Sequence, residues 1–216
     1  MTADLFDRLA VSPSPQKLAD GAMLLRGFAR PFEHALMAAL EVITAEAPFR
    51  HMQTAGGQTM SVAMTNCGEC GWVTDRRGYR YEAIDPVSQK PWPAMPPPFR
   101  ELAGKAAAEA GFAGFSPDAC LVNRYEPGAR MSLHQDRDET DFGAPIVSVS
   151  LGLPAIFLWG GAMRSDKPAR YRLEHGDVVV WGGPSRLIFH GVAPLAGGEH
   201  VLLGRRRINL TFRKTR

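Results

Sequence analysis

The chain has 216 residues, 45% hydrophobic and 22% charged, with three cysteines and a formal net charge of +3. That is the size and composition of one large globular domain, and an odd, small cysteine count argues against a disulfide framework and predicts a reducing, cytoplasmic compartment. No apolar run approaches the ~20 residues of a membrane helix, the N-terminus lacks the apolar stretch of a secretory signal, and so small a net charge does not by itself identify a nucleic-acid partner.

Residues 1–20 read as a loosely ordered lead, broken by Ser12-Pro13-Ser14-Pro15. Within an N-terminal helical elaboration over 21–50, Pro31 opens a predicted helix over 31–47. Its apolar residues Phe32, Leu36, Leu40 and Ile43 recur at roughly helical spacing. The stretch 51–95 is rich in Gly, Pro, Met and aromatics without a clean period, and is expected to form short strands and loops in a surface element. Pro96-Pro97-Pro98 ends it and opens a second, alanine-dense helix over 99–110. From Asp118 the pattern becomes β-like, with runs at 119–125, 131–136, 146–151, 155–159, 170–174, 177–181, 186–192 and 206–212 separated by turn residues. Two helices followed by about eight short strands predict an α+β, mainly β, domain. An antiparallel barrel or jelly roll braced by the helices on one side fits, with residues 96–216 as its core. No surplus apolar stripe asks for a partner, so a monomer is expected.

The chemistry concentrates in His134-Gln135-Asp136. In an extended strand His134 and Asp136 point the same way and Gln135 points away. His190, from a distant strand, would complete a set of two imidazoles and one carboxylate, which occupies one face of a metal and leaves positions open, as in non-haem Fe(II) oxygenases. In the last strand, period two puts Arg207, Asn209, Thr211 and Arg213 on one face and Ile208, Leu210 and Phe212 on the other. Either the polar face meets water, the usual meaning of such alternation, or it lines a jelly-roll interior where guanidiniums fork onto the carboxylates of a small diacid. The run 119–125 offers a related face, with Asn123 and Tyr125. Basic residues also cluster from Arg205 to Arg216, a solvated tail or a phosphate contact.

Other motifs carry less. His175-Gly176-Asp177 repeats the H-x-D spacing, but its glycine predicts a hairpin turn in which His175 makes structural hydrogen bonds. Cys67-Gly68-Glu69-Cys70 has no second ligand pair with zinc spacing. Ser148, Ser150 and Ser185 lie in no G-x-S-x-G elbow.

From about Phe49 to Arg213 the chain resembles the AlkB family of Fe(II)/2-oxoglutarate-dependent dioxygenases, which reverse alkylation damage in nucleic acids. The likeness lies in the phrases TMSVAMTNCG, KPWPAMP, PDACLVNRY, LHQDRDE, PIVSVSLGLPAIF, LEHGDVVVWGG and NLTFR. It implies a double-stranded β-helix with His134, Asp136 and His190 on iron. Asn123, Tyr125, Arg207, Asn209, Thr211 and Arg213 would hold 2-oxoglutarate, with Arg213 on the distal carboxylate. The 51–95 segment would be a nucleotide-recognition lid. In it Trp72 stacks on the flipped base and Tyr79 meets the backbone phosphate, while Asp138 lies near the exocyclic amine and Arg164 near the substrate. Singly, Trp72, Tyr79 and Asp138 would read as packing or solvated residues. Gln58, where the family has an aromatic, and Leu158-Trp159 depart from the pattern and bear on substrate preference. The activity implied is oxidative demethylation of 1-methyladenine and 3-methylcytosine in single- or double-stranded DNA, and RNA too, with Fe(II), 2-oxoglutarate and O2. The rivals are a dioxygenase for a small molecule or protein side chain, and a nucleic-acid-binding module with a structural metal or none.

Overall fold

A computed structural model of the chain describes residues 14–216. The N-terminal strands β1 (Gln16–Ala19) and β2 (Ala22–Leu25) precede helix α1 (Glu33–Glu46), and β3 (Arg50–Gln53), β4 (Thr59–Gly68), β5 (Gly71–Asp75) and β6 (Gly78–Glu82) lead to α2 (Pro97–Glu109). Eight more strands follow: β7 (Ala119–Tyr125), β8 (Met131–His134), β9 (Ile146–Gly152), β10 (Ala155–Trp159), β11 (Ala169–Leu173), β12 (Val178–Trp181), β13 (His190–Val192) and β14 (Arg207–Arg213). They form an eight-stranded sheet ordered β1-β2-β12-β9-β14-β7-β4-β3, a four-stranded sheet ordered β11-β10-β13-β8, and the separate β5–β6 hairpin. Every pairing is antiparallel. The chain is a mainly β jelly roll.

Both faces of the large sheet are covered. On the outer face α1 (Leu36, Leu40, Ile43) and α2 (Phe99, Leu102, Ala106) pack on Val147, Val149, Leu210 and Phe212, with the Phe99 and Phe212 rings edge to face at 5.7 Å. On the inner face Leu24, Ile146, Val179 and Trp181 meet Phe157, Trp159 and Leu173 of the small sheet. This is why all seven residues of β14 are buried: the strand is the centre of a three-layer stack, and its polar face lines the space between the sheets. Helix α2 starts where Pro97 sits at the position that needs no N–H. It stops where Gly111, at φ +92°, takes the left-handed conformation of a helix end.

Several boundaries differ from the sequence reading. Residues 16–19, assigned to the lead, form the edge strand β1; residues 1–13 of that lead lie outside the described residues. The segment 51–95 is not one surface element, since β4 pairs with β7 along Ala63–Gly68 inside the large sheet and only β5–β6 stands apart. The strand expected over 186–192 shortens to β13, after a 3-10 turn at Gly183–Ser185. His175-Gly176-Asp177 is not a hairpin: β11 and β12 belong to different sheets, and the turn crosses between them.

Candidate active site

The small sheet brings the two histidines together by register. His190 of β13 lies directly opposite His134 of β8, and such partners project side by side; their ring centroids are 4.5 Å apart. The close approach depends on Gly191, where a Cβ would fall 2.7 Å from the carbonyl oxygen of Met131. Asp136 lies two residues past the end of β8 and not in the strand, yet the ligand atoms of His134, Asp136 and His190 all fall within 4.8 Å of one another. Among the described residues no other group of three His, Cys, Asp or Glu side chains is so placed.

Hydrogen bonding selects the ring nitrogen that faces inward. His134 Nδ1 lies 2.8 Å from the Ser132 carbonyl and His190 Nδ1 3.0 Å from that of Ile188. A carbonyl only accepts, so each Nδ1 carries the proton and each Nε2 presents its lone pair. These Nε2 atoms stand 3.5 and 3.8 Å from the two oxygens of Asp136. Burial, reinforced by the charge of His134, pulls His190 down to about 4, so its ring is neutral at physiological pH. For Asp136 burial works the other way, but the Arg213 guanidinium and the two imidazoles outweigh it and hold the carboxylate well below its ordinary range. Two imidazoles and an ionised carboxylate, with room on the open side, suit a divalent cation of the Fe(II) class.

A polar row descends from this triad between the sheets. Arg213 donates to Asp136 Oδ2 from Nη2 at 2.7 Å and Nε at 3.1 Å. Thr211 donates to Asn209 Oδ1 at 3.0 Å, Asn209 donates to Ser148 Oγ at 2.8 Å, and Arg207 donates to Ser150 Oγ at 2.9 Å. Arg207, 1% exposed, has its guanidinium over the Tyr125 ring at 4.9 Å. Its Nε and Nη1 have no hydrogen-bond partner, nor has Asn123 Oδ1. A buried guanidinium without a carboxylate is costly, and this row offers the place for one. The pairing of Arg213 with a distal carboxylate does not fit: Arg213 is engaged at the metal end, and the free donors belong to Arg207 at the other. Ser148 and Ser150, set aside in the sequence, complete the row because β9 pairs with β14 so that Ser148 faces Thr211 and Ser150 faces Asn209.

A cavity of about 680 Å³ opens on His134 and Asp136, its wall including Trp72, Tyr79, Asp138 and Arg164. Trp72, Thr74, Tyr79 and Tyr81 share the inward face of the hairpin. The Trp72 indole donates to Asp138 Oδ2 at 2.8 Å and stacks on Tyr79 with centroids 5.5 Å apart and planes at 16°. Asn66 brackets the Trp72 backbone with two bonds of 3.0 Å; the sequence held no signal for it, since it sits in the middle of β4. Exposed Arg130, Arg137 and Arg164 line the mouth. Glu139 is buried and accepts from Arg186 Nη2 at 3.0 Å and Tyr81 Oη at 2.5 Å. His175, outside the site, accepts from Gly152 N at 2.9 Å and lies 2.6 Å from Glu33. Cys67, Cys70 and Cys120 are free and buried.

The family model of the 2OG-Fe(II) oxygenase superfamily matches residues 21–213. The chain is 57% identical over 202 residues to the alpha-ketoglutarate-dependent dioxygenase AlkB of Escherichia coli, and 56% identical over 203 residues to that of Salmonella typhimurium; each match covers 94% of both sequences. The solved structure of OsALKBH1 superposes with a TM-score of 0.82 at 30% identity, covering 93% of this chain and 99% of that one. The chain therefore belongs to the 2OG-Fe(II) oxygenase superfamily and, within it, to the AlkB-type alpha-ketoglutarate-dependent dioxygenases.

Proposed function

We propose that the protein repairs alkylated nucleic acid by oxidative demethylation of bases methylated on the Watson–Crick edge, 1-methyladenine and 3-methylcytosine, in DNA and also in RNA. Relatives named for nucleic-acid substrates support this: a tRNA demethylase of Schizosaccharomyces pombe, 33% identical over 158 residues, and a DNA N(6)-methyladenine demethylase of Arabidopsis thaliana, 36% identical over 161. The observation that carries the reading is the joint presence, in the space between the two sheets, of the His134–Asp136–His190 set and the unpartnered donors of Arg207. That pairing fits a ferrous ion together with a diacid, and fits neither group alone.

His134, Asp136 and His190 would hold Fe(II), which with 2-oxoglutarate and O2 supplies the oxidising power: one oxygen atom enters a methyl C–H bond while the keto acid becomes succinate and CO2. The N-hydroxymethyl base then loses formaldehyde. The protein's own residues position the reactants. Arg207, with Asn123, Tyr125 and Asn209, takes the distal carboxylate of 2-oxoglutarate. Arg213 and Thr211 serve its metal-proximal end. The Trp72 ring supports the extruded base, and extrusion costs least where methylation already blocks pairing. Both target lesions are cationic, and the Asp138 carboxylate beside Trp72 favours them by charge. Tyr79, Arg164, Arg130 and Arg137 meet the phosphates at the mouth. One chain supplies every group, so a monomer suffices, and three free thiols fit the cytoplasm.

The test is mass spectrometry of a 3-methylcytosine oligonucleotide incubated with the protein, Fe(II), 2-oxoglutarate and O2. Loss of the methyl group, dependent on iron and 2-oxoglutarate, is expected. An unaltered oligonucleotide beside steady succinate formation would assign the oxidation to a different class of substrate.

A further inference from the structure

The hairpin that carries Trp72 touches the loop after β8 at two points. Trp72 reaches Asp138, an exposed residue, where water competes for the bond. Tyr81, directly opposite Trp72 in the hairpin ladder, reaches Glu139, which is 5% exposed. Hydrogen bonds to an ionised acceptor in such a place are the strong ones. Burial raises the Tyr81 phenol well above its ordinary range, only partly countered by the Arg213 charge, so the phenol keeps the proton it donates.

Glu139 is also the hub of a buried set. Arg186 Nη2 donates to it, and Arg186 Nη1 donates to the Asp136 carbonyl at 2.6 Å. Arg213 Nε lies 3.2 Å from the Glu139 oxygen that accepts from Tyr81, while Arg213 Nη2 holds Asp136. A continuous path of contacts thus runs from the hairpin through one carboxylate to the arginine beside the metal ligands. Elsewhere the hairpin is held through β5, where Asn66 grips Trp72 and Val73 is buried with Val62, Met64 and Leu121, and at the end of β6, where Trp92 Nε1 donates to the Glu82 carbonyl at 2.9 Å.

We propose that Tyr81 is a positioning residue whose bond to Glu139 ties the nucleotide-binding hairpin to Arg213, so that ordering of Arg213 by bound 2-oxoglutarate orders the hairpin. The inference rests on the assignment of Arg213 to the co-substrate row. A free Arg213 has only protein acceptors; a ligand carboxylate beside the metal adds one, restricts the guanidinium, and through Glu139 restricts Tyr81. Base capture is then favoured in molecules already carrying co-substrate.

Amide hydrogen exchange read by mass spectrometry, with Mn(II) and 2-oxoglutarate in place of turnover conditions, tests this. In the wild type, adding both should slow exchange over residues 71–82 about fivefold or more and also slow β14. In Tyr81→Phe, which removes one hydroxyl, the slowing over 71–82 should fall below about twofold while β14 still responds. Wild-type slowing of the hairpin in Tyr81→Phe would overturn the proposal. If that variant exchanges faster throughout β9 and β14, Glu139→Gln decides on the same criterion, since it keeps an acceptor for Tyr81 and weakens the hold on Arg213. A wild type in which neither β14 nor the hairpin responds would sink the co-substrate assignment itself; a response in β14 alone would sink only the coupling.

Discussion

At the scale of single residues, the two H-x-D motifs separate by what their side chains face. His134 and His190 turn their lone pairs toward Asp136, whereas both nitrogens of His175 are engaged by Gly152 and Glu33. His134→Ala and Asp136→Ala should each abolish iron-dependent succinate formation, and His175→Ala should retain it within a few-fold; a dead His175 variant with wild-type melting would move the metal site. Arg207 carries the second test. Its Nε and Nη1 are free, and a hydrogen bond to a charged ligand is worth ~1.5–3 kcal/mol. Arg207→Met should therefore raise KM for 2-oxoglutarate by roughly ten- to a hundredfold in steady-state assays with little change in KM for the oligonucleotide. The triad was legible because its spacing is local, two residues in one run plus a histidine in another. What the polar face of β14 meets was not: alternation reads the same whether that side faces water or a second sheet, and only the small sheet opposite decides. Glu139 drew no notice for a similar reason, since its arginine partners lie 47 and 74 residues further on.

At the scale of elements, the buried strands β7, β9, β12 and β14 were readable as short runs bounded by turn residues, and β4 was not. The sequence of β4, with Val62–Cys67 wholly buried, shows no alternation because along that stretch neither face meets water. The hairpin β5–β6 and the segment behind it are stabilised by charge instead. Arg50 of β3 grips Asp85 with two bonds of 2.8 and 2.6 Å, and Asp85 also accepts from the backbone of Val87 at 3.0 Å. Burial would raise the Asp85 carboxyl, but the guanidinium and these donors bring it to about 2. Because the folded state holds Asp85 below its unfolded value of about 3.9, this contribution is full above pH ~4 and disappears as the pH falls toward 2. Asp85→Asn should lower the urea midpoint at pH 7, with the gap closing as unfolding is repeated toward pH 2; a gap that stays constant would show that charge plays no part.

At the scale of the whole molecule, the row between the sheets leaves the fold with buried polar groups that a ligand must complete. Any ligand that binds only the folded chain adds RT ln(1 + [L]/Kd), ~2.7 kcal/mol at a hundredfold excess over Kd, or roughly 5–10 °C in Tm for a domain of this size. Mn(II) with 2-oxoglutarate should raise the melting temperature by that order, 2-oxoglutarate with EDTA much less; identical melting in both would leave the row without a ligand. Among the described residues no helix is long and apolar enough to cross a membrane, and the jelly roll is braced by its own two helices.

Both metal-facing rings are anchored by a main-chain oxygen two positions back in their own segment, and neither relies on an acidic side chain for its tautomer. The electronic character of the iron's nitrogen donors is thus written into the strand itself and is insulated from drift at neighbouring positions. Gln58 and the other side chains around the mouth can change without altering how those nitrogen donors are held.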